Sequence, residues 1–219
     1  MEIYRDRTQA GRLLAEVLRE RGYGEPRAAA LLVLAIPRGG VVVGAEVARA
    51  LNAPLDVWLA RKIGAPGNPE FAIGSVSAHG EVLLDHATVR ALGVSHEYLE
   101  EAVRRERLEL ERRMIAFRGH AEPIRVEGRN VLLVDDGVAT GATVFSALAA
   151  LQRGGAAQRI LAVPVAPREI LPELETAADA VVVLEPAAHF YAVGQFYEHF
   201  EQVPDAEVLR LLAASRRAP

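Results

Sequence analysis

The chain contains no cysteine and a single lysine, Lys62. Without cysteine, disulfides, thiolate nucleophiles and cysteine-ligated metal sites are excluded. Aromatic residues make up only 5% of the 219 positions, so any cluster of them concentrates ring surface at one place. Neither sign of charge is in large excess. The formal net charge of -4 leaves no footprint for nucleic acid or an anionic membrane. No apolar run approaches the roughly 20 residues that a membrane span needs. The opening MEIYRDRTQAGRLL is charged too early for a secretory leader, and a cytoplasmic protein is expected.

What is abundant is apolar: 51% of residues, ample for the core of an α/β domain of this length. DRTQAGRLLAEVLRERG places Leu13, Leu14, Val17 and Leu18 at helical spacing, with Asp6 as cap and Gly22 as stop. LLVLAI (residues 31–36) reads as a buried strand, followed by PRGG and the helix VVVGAEVARALN. LDVWLARKIG reads as a second strand running into a loop, and GAPGNPE has the turn chemistry of a mobile or ligand-closing segment. AIGSVSAHGEVLLD alternates around Gly80 as a hairpin does. Residues 95–117 read as a long solvated helix, with apolar positions at Leu99, Val103, Leu110, Met114 and Phe117. Glu100/Arg104, Glu101/Arg105 and Glu109/Arg113 are spaced for acid-first pairs along it. RILAVPV, REILPELETAA, AVVVLE and DAEVLRLLAAS continue a strand-helix alternation. That alternation predicts an open, mainly parallel twisted sheet flanked by helices.

The most informative stretch is VLLVDDGVATGAT, residues 131–143. Its apolar run suits a strand buried on both faces. Gly137 and Gly141 let the chain turn and a ligand approach the backbone. The helix that follows, TVFSALAALQRGG, puts free N–H groups and a positive dipole end under the loop, and Thr140 and Thr143 add hydroxyls. Asp135 and Asp136 would repel a phosphate beside them, so they face something else. A ribose 5-phosphate meets both demands, its diol on the carboxylates and its phosphate on the helix end. Plain helix capping accounts for one acid, but not for a second acid with two glycines and two threonines. No Lys-Ser/Thr pair follows the glycines as in a P-loop, and no G-x-G-x-x-G opens a helix.

In an open parallel sheet, ligands bind beyond the carboxyl ends of the strands. Two further loops therefore share the predicted cleft. Arg38, Gly39 and Gly40 offer N–H groups and a guanidinium, a second anion site or else a tight βα turn. Arg61 and Lys62 open the next loop, where the ammonium is either a mobile point charge for a phosphate or a surface lysine without a role. Two anion sites flanking a diol site match phosphoribosyl pyrophosphate (PRPP).

VLLVDDGVATGAT resembles the PRPP signature of type I phosphoribosyltransferases, and LAIPRGGVVVGAEVARAL resembles their pyrophosphate loop. RKIGAPGNPEFAIGSV and FYAVGQFYEHF resemble a stand-alone bacterial group of that family. The resemblance implies a single domain over 1–219, with an insertion at about 75–128 and a hood at about 185–203. It implies that Asp135 and Asp136 hold the ribose hydroxyls, and that Gly137, Val138, Ala139, Thr140, Gly141, Ala142 and Thr143 cradle the 5-phosphate. Arg38, Gly39, Gly40 and Lys62 would bind pyrophosphate, with Lys62 and Arg61 catalytic. Mg²⁺ would be carried by PRPP near Asp135 and Asp136 rather than caged by side chains. The partners implied are PRPP and a small acceptor such as a nitrogenous base, within a homodimer.

Ala139 stands where the 6-oxopurine enzymes carry an aspartate that contacts the base. The adenine enzymes carry alanine there but lack PRGG, so no familiar acceptor class matches both loops. Phe190, Tyr191, Phe196 and Tyr197 form the aromatic cluster, either a stacking surface for the acceptor or a flap packed over the core edge. Glu198 and His199 are the neighbouring groups able to transfer a proton. The alternatives to a transferase are a PRPP- or nucleotide-sensing regulator and a sugar-phosphate hydrolase. Retention of Lys62 and the glycine-rich second loop favours the transferase.

Overall fold

The computed structural model describes residues 4–24, 31–78, 80–118 and 125–216. Within the expected insertion, residue 79 and residues 119–124 lie outside the described residues.

Five parallel strands form the main sheet: β1 (Leu31–Ala35), β2 (Leu55–Val57), β6 (Asn130–Val134), β7 (Gln158–Pro167) and β8 (Ala180–Ala187), in the order β2-β1-β6-β7-β8. Their burial follows from composition. β1 is LLVLA and every residue is buried, the continuous apolar run that a sheet covered on both faces requires. Alternate residues feed opposite layers. Val33 and Ala35 join a core with Leu14 and Leu18 of α1 (Arg7–Glu20), Val47 of α2 (Gly39–Ala50) and Leu212 of α7 (Asp205–Ser215). Leu32 and Leu34 join Leu148 of α5 (Ala142–Arg153) and Leu174 of α6 (Leu171–Ala177) on the other face. The predicted fold class is the one observed.

The opening helix is bounded as its sequence predicts. Asp6 caps it, accepting from Gln9 N at 2.7 Å, and Gly22 follows its end with φ of 83°. α2 starts two residues earlier than expected, inside PRGG, so Gly39 and Gly40 form its first turn.

The second strand departs from expectation. LDVWLARKIG is not one strand with a loop behind it, because the chain leaves the main sheet after Val57. Trp58 N still bonds Ala35 O at 2.9 Å, while Leu59 O already accepts from Ala78 N at 2.8 Å. A separate antiparallel sheet then forms from β3 (Ala60–Ala65), β4 (Asn68–Ser77) and β5 (Val82–Leu84). Val57, Trp58 and Leu59 are apolar and buried across the break, so hydropathy reads straight over it. GAPGNPE is likewise a paired hairpin turn rather than an open loop, with Gly67 at φ of 75°. Gly64 lets the hairpin close, since a Cβ there would lie 2.5 Å from Pro69 O. The β4–β5 hairpin around Gly80 is as predicted.

The short α3 (His86–Ala91) leads to α4 (His96–Arg118). α4 packs Ala102 against Ile63 and Ile73 of the small sheet, and its Leu110, Met114 and Phe117 against the main core. Of its three anticipated ion pairs, Glu109–Arg113 forms, at 3.2 Å. Glu101 takes Arg104 and Glu100 faces His96 instead, because partners three and four positions away are both within reach on a helix.

Candidate functional site

β1 and β6 are adjacent, with Ala35 level with Val134, so the loops after them start side by side. The chain runs outward from β1 to β2 on one side and from β6 to β7 on the other. This is the switch point at which open α/β sheets form ligand crevices.

The two loops meet closely. A Cβ on Gly39 would overlap Asp136 Oδ2 and lie 2.6 Å from its Cγ. One on Gly40 would lie 2.8 Å from Asp135 Cα. No residue with a side chain fits at either position without movement. The PRGG segment is thus packed against the acidic pair, and the Pro37–Arg38 peptide in it is cis. The Arg38 side chain reaches Asp205 at 3.4 Å.

The acidic pair is partly buried. Asp135 Oδ1 accepts from Asp136 N at 2.8 Å. Burial first, and the adjacent Asp136 carboxylate second, push the Asp135 carboxyl well above the usual carboxylate range. Asp136 is engaged by Arg7, whose Nε lies 2.6 Å from Oδ2.

Beyond the acids, Val138 is buried and its N–H bonds Val165 O at 2.9 Å, which anchors the middle of the loop. Gly137 sits under Val193, where a Cβ would lie 2.6 Å from Val193 Cγ1. Gly141, at φ of 77°, ends the loop as the residue before α5, and no side chain caps that helix end. Ala139, Thr140, Ala142 and Thr143 are exposed around it. The first-turn N–H groups are therefore available to an anion.

Lys62 and Arg61 lie on β3 rather than in a loop, and they diverge. Arg61 pairs with Glu106 of α4 at 2.9 Å, tying the hairpin to that helix. Lys62 is exposed, in register with Ser75 of β4. Of the aromatic cluster, Phe196 is fully buried and Tyr197 nearly so, packed with Tyr4 and Val165. Phe190 stacks on Phe196 at 5.6 Å, whereas Tyr191 is 91% exposed. Three of the four rings therefore form a flap over the sheet edge, and Tyr191 presents a free face. Tyr197 also donates from its hydroxyl to Asp136 O at 2.6 Å. Burial and the Asp136 charge raise its pKa, so it stays a donor. Glu198 and His199 use their N–H groups to pair with Tyr4 O and Arg5 O.

A cleft of about 470 Å³ borders the site, lined by Arg38, Leu59, Arg112, Arg113, Phe117 and Asp205. A larger cavity of about 710 Å³ lies at the C-terminal ends of α2 and α7, between Arg49, Asn52, Arg210 and Ser215, and holds none of these site residues. Carboxylates beside free helix N–H groups suit a hard cation that arrives on phosphate oxygens. Among the described residues, no group of three or more His, Asp or Glu side chains could cage a metal. Nor is any described helix long and apolar enough to cross a membrane.

Residues 2–200 match the phosphoribosyl transferase domain. The chain belongs to this family. Two Mycobacterium tuberculosis proteins, from strains CDC 1551 / Oshkosh and ATCC 25618 / H37Rv, are each 40% identical over 217 residues and carry the name "putative phosphoribosyl transferase". The alignment covers 99% of this chain and 48% of each relative, so this phosphoribosyl transferase domain spans about half their length. The crystal structure of TT1426 from Thermus thermophilus is 43% identical, with a TM-score of 0.82 over 97% of this chain and 98% of that one.

Arg7 and the Tyr197 hydroxyl are the contacts that sequence reasoning misses. Each lies within stretches that resemble the family, YRDRTQAGRLL and FYAVGQFYEHF, and that is the signal that could have marked them.

Proposed function

We propose that the chain is a PRPP-dependent phosphoribosyltransferase, which displaces pyrophosphate from ribose C1 by a nitrogenous base or similar acceptor. The observation that carries this reading is the junction at the switch point, where two glycines of PRGG lie directly on the acidic pair. One ligand can then touch an anion-binding helix start, a diol-binding carboxylate pair and a second helix start within one crevice.

In this reading Asp135 and Asp136 accept from the ribose hydroxyls, and the N–H groups at 137–143 with Thr140 and Thr143 hold the 5-phosphate. Gly39, Gly40 and Arg38 receive the pyrophosphate, and Lys62 meets it from the hairpin. Mg²⁺, held by phosphate oxygens close to Asp135 and Asp136, would neutralise charge on the leaving group. The chain itself orients the sugar, excludes water under the flap and stabilises charge as the C1–O bond breaks. Of the aromatic residues, exposed Tyr191 is the one with a ring face for the acceptor. The reading carries with it a homodimer in the cytoplasm.

The test is calorimetric titration with PRPP and Mg²⁺, run beside Asp136→Asn, followed by an acceptor screen scored by pyrophosphate release. Binding lost in the variant and release dependent on one acceptor are expected. Absence of PRPP binding to the wild-type protein refutes the reading. Binding without turnover on any acceptor replaces it with a sensor.

A further inference from the structure

α1 contributes its first residue to the site. The Asp6 cap fixes the backbone at Arg7, and Leu14 and Leu18 bury the helix behind it. The Arg7 guanidinium then meets three groups. Nε donates to Asp136 Oδ2 at 2.6 Å, Nη1 donates to Glu201 O at 2.9 Å, and Cζ lies 3.8 Å from the centre of the Phe200 ring. Side-chain exposure is 11% for Arg7 and 14% for Asp136. Phe200 stacks on Tyr197 at 5.0 Å, and Tyr197 grips the main chain of Asp136 through its hydroxyl. One connected unit therefore holds Asp136 by both side chain and backbone.

Stability alone does not call for this arrangement, because an apolar pair of similar volume holds elements together at least as well as a partly buried ion pair. What the ion pair adds is direction. Arg7 and the Gly39 backbone close off Oδ2. Oδ2 is thereby committed, the Asp135 carboxyl lies alongside, and because each carboxylate oxygen accepts two hydrogen bonds, Oδ1 keeps capacity for a further donor.

We propose that Arg7 is a positioning residue of this site: braced on Phe200, it holds Asp136 so that Oδ1 is presented to the sugar diol. The identity of that ligand rests on the phosphoribosyltransferase reading, whereas the geometry of Arg7 does not. Among the described residues, the charged and titratable groups that meet Asp136 are Asp135 from the β6 loop, Arg7 from α1 and Tyr197 from the flap; α2 brings the Gly39 backbone, and the adjacent Arg38 pairs with Asp205.

The experiment compares wild type with Arg7→Met, Arg7→Lys and Phe200→Leu, after thermal unfolding has established that each is folded. Carboxyl ¹³C NMR follows the Asp135–Asp136 pair without ligand, and calorimetry follows PRPP affinity from about pH 6 to about pH 8.5. Removing the guanidinium, whose charge favours the ionised Asp135 carboxyl, raises the pH at which Asp135 takes up its proton. PRPP affinity of Arg7→Met is expected to fall about ten- to a hundred-fold at neutral pH, the loss of a charge-assisted hydrogen bond. The deficit should widen toward acid and shrink toward base. Arg7→Lys restores the titration and only part of the affinity. Phe200→Leu keeps the titration and loses affinity a few-fold, which holds the test open if Arg7→Met does not fold. A folded Arg7→Met with wild-type titration and wild-type affinity overturns the proposal. If wild type does not bind PRPP, the functional reading fails, and the ligand-free titration still decides for or against Arg7.

Discussion

Replacing Gly39 by alanine sets two effects against each other. At a helix position alanine is favoured over glycine by at most about 1 kcal/mol, and by less in the first turn. Here the added methyl would overlap Asp136 Oδ2 and sit 2.8 Å from Arg7 Nε. The structure has two ways to respond. Shifting α2 costs about 1–3 kcal/mol, as overpacking does. Driving the carboxylate off Arg7 costs about 1.5–3 kcal/mol, the worth of a charged hydrogen bond. Either response outweighs the propensity gain, leaving Gly39→Ala destabilised by about 1–2 kcal/mol. In a chain of this size that is roughly 2–8 °C in Tm. The decisive measurement is urea unfolding of Gly39→Ala in two backgrounds, wild type and Asp136→Ala/Arg7→Met. The double background removes the obstructing atoms together, so no charge is left unpaired. There the same substitution should be neutral or stabilising by up to about 1 kcal/mol. An equal cost in both backgrounds would show that the Gly39–Asp136 contact is not what demands glycine.

Lys62→Ala is expected to lower pyrophosphate release by about 10² to 10³ with an unchanged unfolding midpoint, because the side chain is exposed on β3; wild-type turnover would remove Lys62 from the reaction. Asp135 has a folded pKa raised above its unfolded value, so the native state binds its proton more tightly, and stability falls as pH rises through that folded value. Asp135→Asn should therefore unfold at a higher temperature than wild type near neutral pH, with the gap closing at about pH 4; a gap independent of pH contradicts this. Asp6 has the opposite shift, lowered chiefly by the Gln9 N–H. Its cap is fully present above the unfolded pKa and lost as pH falls through the folded one, so Asp6→Ala should cost about 1 kcal/mol at pH 7 and little at about pH 2, read from urea midpoints.

Much of this architecture can be read from one dimension. β1 and β6 announce themselves because strands covered on both faces must be apolar throughout, and the glycines and acids behind them mark where the chain turns and what it can hold. Other features leave no local trace. The break between β2 and β3 falls in VWLA, where Val57, Trp58 and Leu59 are buried in turn before the chain surfaces at Ala60, so an unbroken apolar run hides it. Lys62 stands out by its rarity, but the hairpin that carries it reads as a loop because Gly64 and Gly67 look like flexibility when they serve pairing. Arg7 is hidden by the reverse effect: arginine is common in this chain, and its partner Asp136 lies 129 positions away. The aromatic cluster is visible as a group, yet only packing separates the buried rings of Phe196 and Tyr197 from the exposed one of Tyr191.

Tyr4 and Tyr197 form a parallel β-bridge, Tyr4 N bonds Phe196 O at 2.7 Å, and Glu198 N bonds Tyr4 O at 2.8 Å. Together with the Arg7–Glu201 contact, which spans 194 positions, this sets a timetable for the newborn chain. At about 5–20 residues per second, roughly 10–40 s separate the emergence of Arg7 from that of the segment that braces it. During that interval the β1 and β6 loops can be made, but Asp136 lacks its full set of restraints. The crevice is finished only after the segment up to Glu201 has left the ribosome, so a polypeptide released before that segment is made would fold much of its sheet and still lack the completed site.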